Sequence, residues 1–379
     1  MNPLTILALS SWYPNDADPF LGNFVKRHCE AISTIHKVWV IFVAAVDEKS
    51  KERIEKTQSG NLTEIIIYQE SGKNDLMRYF QKRKAVLQMI EEIGVDFDIL
   101  HAHALFPLAP IFSFVAKKLN IPWVFSEHWS GFHQKFRPPI NPLKWKWIMD
   151  AAKTAKMGFP VSENLASSVK KLFPDLVLRC VPNVVEDVFF QSTSTVNQNT
   201  QVHFLHVSTL VEQYKNMHGT LEAFSKLKMA GHDFHFLIVS DGDFSDARNW
   251  TTEFNLTDRV EFKGPLSSKK IADEMASADA LVLFSNTENQ PCVVLESLSM
   301  GLPVIASTVG DIPNLVSDGK GFLAPPGNVK ALCENLAKFI ERRSTYRRAE
   351  VMKGTRERFS KEAVAQMYSD AYSEVLNAH

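Results

Sequence analysis

The chain has 379 residues, 45% of them hydrophobic and 22% charged, which suits a soluble protein of two domains, each burying its own core. A formal net charge of −1 excludes a global field that would gather nucleic acid or acidic lipid, so any electrostatic attraction must come from local patches. Met1–Ser10 has no basic leader region, no stretch approaches ~18 consecutive apolar residues, and Cys29, Cys180, Cys292 and Cys333 lack C-x-x-C spacing; a cytoplasmic protein without signal peptide, membrane span, zinc site or disulfide framework is expected.

Leu4–Ser10 reads as the first strand, followed by the turn-rich Trp12–Pro19, a helix from Gly22 to Ser33 and an apolar strand Val38–Ala44. Strand signals recur at Glu64–Tyr68, Ile99–His103, Pro122–Ser126 and Met157–Val161, with helices over Asn74–Gly94 and Pro107–Leu119 between them. Alternation at this spacing predicts a parallel, doubly wound α/β sheet. Gln191–Gln201, almost wholly polar, is the expected linker between a domain of residues 1–190 and a second of residues 202–358. The second run comprises His203–Val207, a helix Met217–Ala230, then Phe234–Val239, Val260–Phe262, Leu281–Phe284, Val304–Ala306 and Gly321–Leu323, so two similar α/β halves facing each other across a cleft are expected. Within residues 359–379 a final helix, Lys361–Leu376, carries Val364, Met367, Tyr368, Ala371 and Val375 at helical spacing.

Glu288 and Glu296 occupy the most informative segment. Ala278–Ser285 reads as a buried strand, Pro291 as the first residue of a helix, Gly301–Pro303 as its stop and Pro303–Ser307 as the next strand. A parallel β-α-β unit of this kind puts the Glu288 loop at the carboxyl edge of the sheet, where open α/β sheets bind ligands, and Glu296 about a turn and a half into the helix. Backbone N–H groups near Asn289–Val293, a segment that includes Gln290, Pro291 and Cys292, present partial positive charge to an anion. The loop carboxylate suits a sugar hydroxyl, the helix start a phosphate and the helical carboxylate a ribose, so the expected ligand is a nucleotide sugar.

This segment, continued to Pro313, resembles the E-x7-E signature of the retaining glycosyltransferases of family 4, and the resemblance covers nearly the whole chain. It implies the GT-B fold of two Rossmann-like domains. Phe204–Asn216 looks like the segment that opens the donor domain, with Ser208 and Thr209 after the strand and Lys215 matching a cation that grips the donor diphosphate; Thr209 stands where the family usually has arginine. Ile238–Asp243 is similar to the strand and glycine turn near the donor, at Gly242, and Val260–Leu266 to the loop that holds the base mainly through its backbone. In the first half, Ser10–Phe24 is similar to the loop where Gly22, followed by Asn23, lets the backbone approach the donor phosphate, with Trp12 and Phe20 covering it. The nicotinamide fingerprint G-x-G-x-x-G does not follow the first strand, which argues against a dehydrogenase. His128 matches the family histidine that reaches across the cleft to the transferred sugar, whereas His101 and His103 read as structural. Asn289-Gln290-Pro291 replace the glycine and aromatic usual in the family, a departure that bears on the sugar preference.

The resemblance implies a metal-independent, retaining hexosyltransferase that moves sugar from a nucleotide-diphosphate donor to a glycan or lipid-linked acceptor in polysaccharide or cell-envelope glycan synthesis. Glu288 would orient the donor sugar, Glu296 the ribose and His128 the sugar, with the acceptor attacking on the leaving-group side; a covalent glutamyl intermediate is the rival mechanism. No cofactor beyond the nucleotide-sugar co-substrate, no metal, no D-x-D triplet and no nucleic acid is expected. Basic and aromatic residues interleave over Phe132–Trp147, which suits peripheral contact with the inner face of an anionic membrane, and Arg78, Lys82 and Lys84 would extend that face. The same residues also read as a proline-rich loop leading into a core helix. A GT-B nucleotide-sugar epimerase and a non-catalytic nucleotide-sugar-binding subunit are the alternative functions.

Overall fold

The computed structural model describes residues 2–46, 52–70, 72–191, 201–316 and 319–378. They form two units, residues 1–184 with 361–379 and residues 185–360. Residues 192–200, most of the expected linker, lie outside the described residues.

The first unit holds strands β1 (Thr5–Ser10), β2 (Lys37–Val46), β3 (Arg53–Ser59), β4 (Leu62–Glu70), β5 (Ile99–His103), β6 (Trp123–Glu127), β7 (Met157–Pro160) and β8 (Val177–Leu178). Their order is β3-β4-β2-β1-β5-β6-β7-β8, parallel except for the β3–β4 hairpin. Helices α1 (Asn23–Ser33), α2 (Asp75–Ile93), α3 (Ala109–Leu119), α4 (Pro142–Ala152) and α5 (Glu163–Leu172) connect the strands, and the last helix of the chain returns to this unit. Val38–Val43 is a continuous apolar run because both faces of its strand are covered. On one face Leu7, Ile41, Ile65 and Phe125 meet Val86, Phe112 and Ile148 of α2–α4; on the other, Ile6, Val40 and Phe159 meet Val25, Cys29 and Ile32 of α1 and Tyr368 and Tyr372 near the chain's end. Local chemistry sets the helix ends. Asn74 Oδ1 accepts from Met77 N–H at 2.9 Å to open α2, and Gly94, at φ 61°, closes it in the left-handed conformation.

The second unit is a six-stranded, all-parallel sheet in the order β11-β10-β9-β12-β13-β14. Its strands are β9 (Val202–Val207), β10 (Phe234–Val239), β11 (Val260–Lys263), β12 (Ala280–Leu283), β13 (Val304–Ser307) and β14 (Gly321–Ala324). Helices α6 (Val188–Gln191), α7 (Glu212–Lys215), α8 (Met217–Met229), α9 (Ser245–Glu253), α10 (Ser268–Ser277), α11 (Cys292–Ser299), α12 (Ile312–Leu315), α13 (Val329–Arg342), α14 (Arg348–Met352) and α15 (Thr355–Phe359) lie between or beyond them, and α16 (Lys361–Asn377) completes the first unit. The apolar faces are again two, one with α8, α9 and α13 and one with α6, α10 and α11.

Both α/β expectations hold for the strands named from sequence, with small shifts at their ends. Two strands were not expected. β3 (RIEKTQS) has neither an apolar run nor clean alternation and is exposed nearly throughout, while β8 is only two residues long. Pro291 precedes the helix as its extended N-cap (φ −70°, ψ 121°) instead of being its first residue.

Candidate active site

In the second unit β9 lies between β10 and β12, and the chain's winding reverses between β9 and β12. A doubly wound sheet opens a crevice at the carboxyl ends of such strands. The loops leaving those two strands carry Lys215 and Glu288. Lys215 Nζ lies 2.5 Å from Glu288 Oε1, and Ser285 Oγ donates to the same oxygen at 2.7 Å. The side chains are 18% and 10% exposed, so the pair is shielded while still open to solvent. Backbone bonds lock the two loops together: Asn286 N–H donates to Tyr214 O at 2.8 Å and its side-chain amide to Gln213 O at 3.2 Å. Glu212 Oε2 accepts from Met217 N–H at 2.7 Å, and Asn216, at φ 49°, joins α7 to α8 with Oδ1 accepting from Gly219 N–H at 3.3 Å.

Asn289, Gln290 and Pro291 lead into α11, whose start has no side-chain cap. Cys292 and Val293 are half-buried in its first turn, and Glu296, its fifth residue, is buried. Gln290 Nε2 donates to Asp311 Oδ2 at 2.8 Å, and Asp311 N–H donates to Asn289 O at the same distance, so the loop after β13 braces the loop after β12. Gly310 makes that approach possible. Its φ is 58°, and a Cβ there would stand 2.2 Å from Glu288 O and 2.5 Å from Asn289 O.

Further along the same edge, Thr209 is exposed and Ser208 is half-buried. His206 Nδ1 faces the Val282 carbonyl at 2.9 Å and therefore carries the proton, which leaves Nε2 to accept from Ser208 Oγ at 2.7 Å. Ser208 Oγ in turn accepts from Leu210 N–H at 3.1 Å and holds Leu210 at φ 55°. Burial, reinforced by nearby Lys215, lowers the His206 pKa to about 4 and keeps the ring neutral. A Cβ at Gly242 would fall 2.2 Å from Thr209 O, so this glycine permits loop-to-loop contact. Leu266 packs on the apolar face formed with α10 and α11. Asp241-Gly242-Asp243 does have D-x-D spacing, which corrects the expectation that no such triplet occurs; Asp243 Oδ1 is taken up by Ser245 N–H (2.9 Å) and Oγ (2.7 Å).

In the first unit Gly22 is the left-handed N-cap of α1, and a Cβ on it would lie 2.7 Å from the Trp12 carbonyl carbon and oxygen. Asn23 opens the helix. Trp12 packs edge-on against Phe24, and Phe20 is exposed. His128 is half-buried after β6, 4.5 Å from the Phe24 ring and 5.1 Å from the His28 ring. Glu127 fixes its backbone: Oε1 accepts from His128 and Trp129 N–H, both at 2.9 Å, and Oε2 from Leu105 N–H at 3.0 Å. Burial raises the Glu127 pKa to about 7 against those three donors, which favour the charged form. Below this loop runs a buried polar chain. His28 Nε2 meets Asn183 Oδ1 (3.3 Å) and its Nδ1 meets Tyr368 Oη (3.0 Å); Tyr368 Oη meets Ser126 Oγ (2.8 Å), which meets His101 Nε2 (2.8 Å), whose Nδ1 meets Tyr372 Oη (2.6 Å). His103 stacks on His101 at 4.2 Å, so both histidines are interior groups. Burial lowers the pKa of His28 to about 4 and those of His101, His103 and His128 well below the usual value.

Residues 22–188 match the profile described as Glycosyltransferase Family 4, and residues 188–363 that described as Glycosyl transferases group 1. The chain belongs to glycosyltransferase family 4. It is 24% identical over 298 residues to the N-acetyl-alpha-D-glucosaminyl L-malate synthase of Bacillus anthracis, spanning 74% of this chain and 76% of that protein. It is 25% identical over 267 residues to a putative teichuronic acid biosynthesis glycosyltransferase of Bacillus subtilis, spanning 67% and 64%. HepE of Anabaena, solved in complex with UDP and glucose, superposes with a TM-score of 0.75 over 98% of this chain and 100% of that one; at 16% identity the likeness is one of fold, GT-B.

In this family 4 chain, sequence reasoning gave no role to Ser285 or to Glu127 and missed the Gln290–Asp311 brace. Ser285 and Glu127 each sit at the end of a buried strand, where a polar residue is a readable signal; the brace depends on a loop contact 21 residues apart, which leaves none. The basic-aromatic segment is also redrawn. Phe132 is buried, Trp145 is partly buried beneath Arg137 at 3.9 Å, and Lys82 turns inward to donate to Val43 O at 3.1 Å.

Proposed function

We propose that this protein transfers a hexose-type sugar from a nucleoside-diphosphate donor to a glycan or lipid-linked acceptor, with retention at the anomeric carbon and without a metal. The observation that carries the reading is the shielded Lys215–Glu288 pair at the sheet's reversal point, beside the start of α11. Breaking the bond between the anomeric carbon and the β-phosphate oxygen builds charge on the leaving diphosphate. Groups that meet this charge more strongly in the transition state than in the ground state accelerate the step.

Lys215, with three N–H donors, gives one to Glu288 and can offer another to the diphosphate. The N–H groups at the start of α11 add backbone dipoles. Among the described residues, Lys215 and Ser285 both meet Glu288 at Oε1, so Oε2 can take a sugar hydroxyl. Glu296 takes the ribose. The acceptor oxygen bonds the anomeric carbon on the face the diphosphate leaves, and its proton passes to the departing phosphate oxygen.

The complex of HepE with UDP and glucose supports a nucleotide-sugar donor, and the likeness to a putative teichuronic acid biosynthesis glycosyltransferase supports a cell-envelope glycan product. Calorimetric titration with UDP, GDP and ADP, followed by donor turnover with and without an acceptor extract, tests the reading. One nucleotide should bind, and donor consumption should require acceptor. Release of an isomerised sugar without acceptor would make the protein an epimerase; binding without any turnover would make it a non-catalytic subunit.

A further inference from the structure

Half of the large hydrophobic side chains that stand exposed among the described residues, Leu76, Met77, Phe80, Phe114, Leu143 and Trp147, fall on three helices of the first domain. Three contacts make them one surface. Trp147 of α4 meets Tyr79 of α2 edge-on at 4.8 Å, Lys144 of α4 reaches Asp75 of α2 at 2.5 Å, and the Arg83 guanidinium of α2 lies 4.6 Å from the Phe114 ring of α3. Leu76 and Phe80 stand four residues apart on α2, as do Leu143 and Trp147 on α4, so each helix turns an apolar row outward where a surface helix is ordinarily polar. Leu143 is 78% and Leu76 63% exposed. Contiguous exposure of this kind marks an interaction surface.

The charge around the ridge identifies its partner. Residues 75–84 and 142–153 carry exposed Arg78, Lys84, Lys146 and Lys153 and half-buried Arg83 and Lys144 against Asp75 and Asp150, with Glu91 and Glu92 exposed in the last turn of α2, in a chain whose net charge is −1. The two aspartates each hold two of these cations (Asp75 with Arg78 and Lys144, Asp150 with Lys146 and Lys153), so the ridge retains a positive excess. A second copy of the chain would bring the same cations against themselves across a two-fold axis. A bilayer bearing anionic headgroups offers both an apolar boundary for Leu, Phe and Trp and phosphates for Lys and Arg.

We propose that the surface formed by α2, α3 and α4 docks on the face of an anionic lipid bilayer, with the apolar ridge entering the headgroup boundary. This surface differs from the one read along residues 132–147 and extended by Arg78, Lys82 and Lys84, because its apolar ridge is built from Leu76, Met77 and Phe80 of α2 and Phe114 of α3, while Phe132 is buried, Trp145 partly buried and Lys82 turned inward.

Cosedimentation with phosphatidylcholine vesicles, with and without phosphatidylglycerol, tests it. The protein should bind the anionic vesicles at least about tenfold more tightly, and high salt should weaken that binding. Lys84→Glu with Lys146→Glu should abolish the preference, and Phe80→Ser with Leu143→Ser should remove binding although the cations remain. All four side chains are exposed or nearly so, and nucleoside-diphosphate affinity measured on the same variants should stay at the parent value, so the result stands apart from the proposed transferase activity. Equal binding to both vesicle types, or binding to neither, would overturn the proposal. A dimer that dissolves in Phe80→Ser with Leu143→Ser would assign the surface to a second copy instead.

Discussion

Lys215 and Glu288 hold each other at 2.5 Å, and each is available to a ligand from that position. With Thr209 in place of an arginine, Lys215 is the side-chain cation we propose for the leaving diphosphate. A hydrogen bond to a charged group is worth about 1.5 to 3 kcal/mol net. Lys215→Ala should therefore lower kcat/KM at least about tenfold, since ~1.4 kcal/mol is a factor of ten, and adding Thr209→Arg should restore part of the loss. A Lys215→Ala enzyme within about twofold of the parent would sink the assignment. Glu288→Gln should depress turnover while leaving nucleoside-diphosphate affinity near the parent's, whereas Glu296→Gln should weaken the nucleotide; calorimetry on both variants separates the roles. Both carboxylates were legible because strand, loop and helix signals surround them. His206 was not, because an apolar strand hides a histidine whose partners, Val282 O and Ser208 Oγ, come from a neighbouring strand and the following loop.

Loops set the positions of these side chains, and two of the loops depend on single residues. Gly310 lies left-handed against the Glu288 backbone, so Gly310→Ala meets both a conformational cost of about 1–2 kcal/mol and a collision with Glu288 O. The variant should lose stability by at least that amount in denaturant titration and should lose turnover as the Glu288 loop is displaced; an unchanged midpoint and rate would refute the brace. Glu127 serves three backbone donors with two oxygens, and a glutamine offers only one. Glu127→Gln should cost about 1–3 kcal/mol for the buried N–H left unpaired, read from unfolding followed by tryptophan fluorescence. Helix ends were often legible, as with Asn74 and Gly94, because capping is local chemistry. The β3 edge strand was illegible because a solvent-facing hairpin needs no hydrophobic signal. The amphipathic character of Phe132–Trp147 was legible, but which of its aromatics turn outward is decided by packing against α2 and α3.

At the scale of the molecule, alternating strands and helices revealed two α/β domains, while the strand orders and the buried histidine chain came only from the folded arrangement. That chain gives stability a pH dependence. His28 and His206 have folded pKa values of about 4, and those of His101, His103 and His128 are also lowered, so below about pH 6.5 the unfolded chain takes up protons that the folded one refuses. Stability should fall as pH drops from 6.5 towards 4, by about 1.4 kcal/mol per pH unit for each proton. Glu127 opposes this, since its raised pKa gives stability that is present below about pH 4.5 and lost as pH rises through about 7. One carboxyl against five histidines leaves the net sign unchanged. Four of the five lie in the first domain with six of the seven tryptophans, so the fluorescence transition should weaken between pH 7 and 5. A midpoint that rises on acidification would contradict this. The same helix that supplies Tyr368 and Tyr372, α16, lies beyond the whole second domain in sequence, yet it covers one face of the first domain's sheet beside α1. During synthesis, Ile6, Val40 and Phe159 must therefore wait with α1 alone while about 180 further residues are made, at roughly 5–20 per second, before that face is sealed. The first domain to be translated is the last to be finished, and for those seconds its unsealed sheet is a natural client for a chaperone.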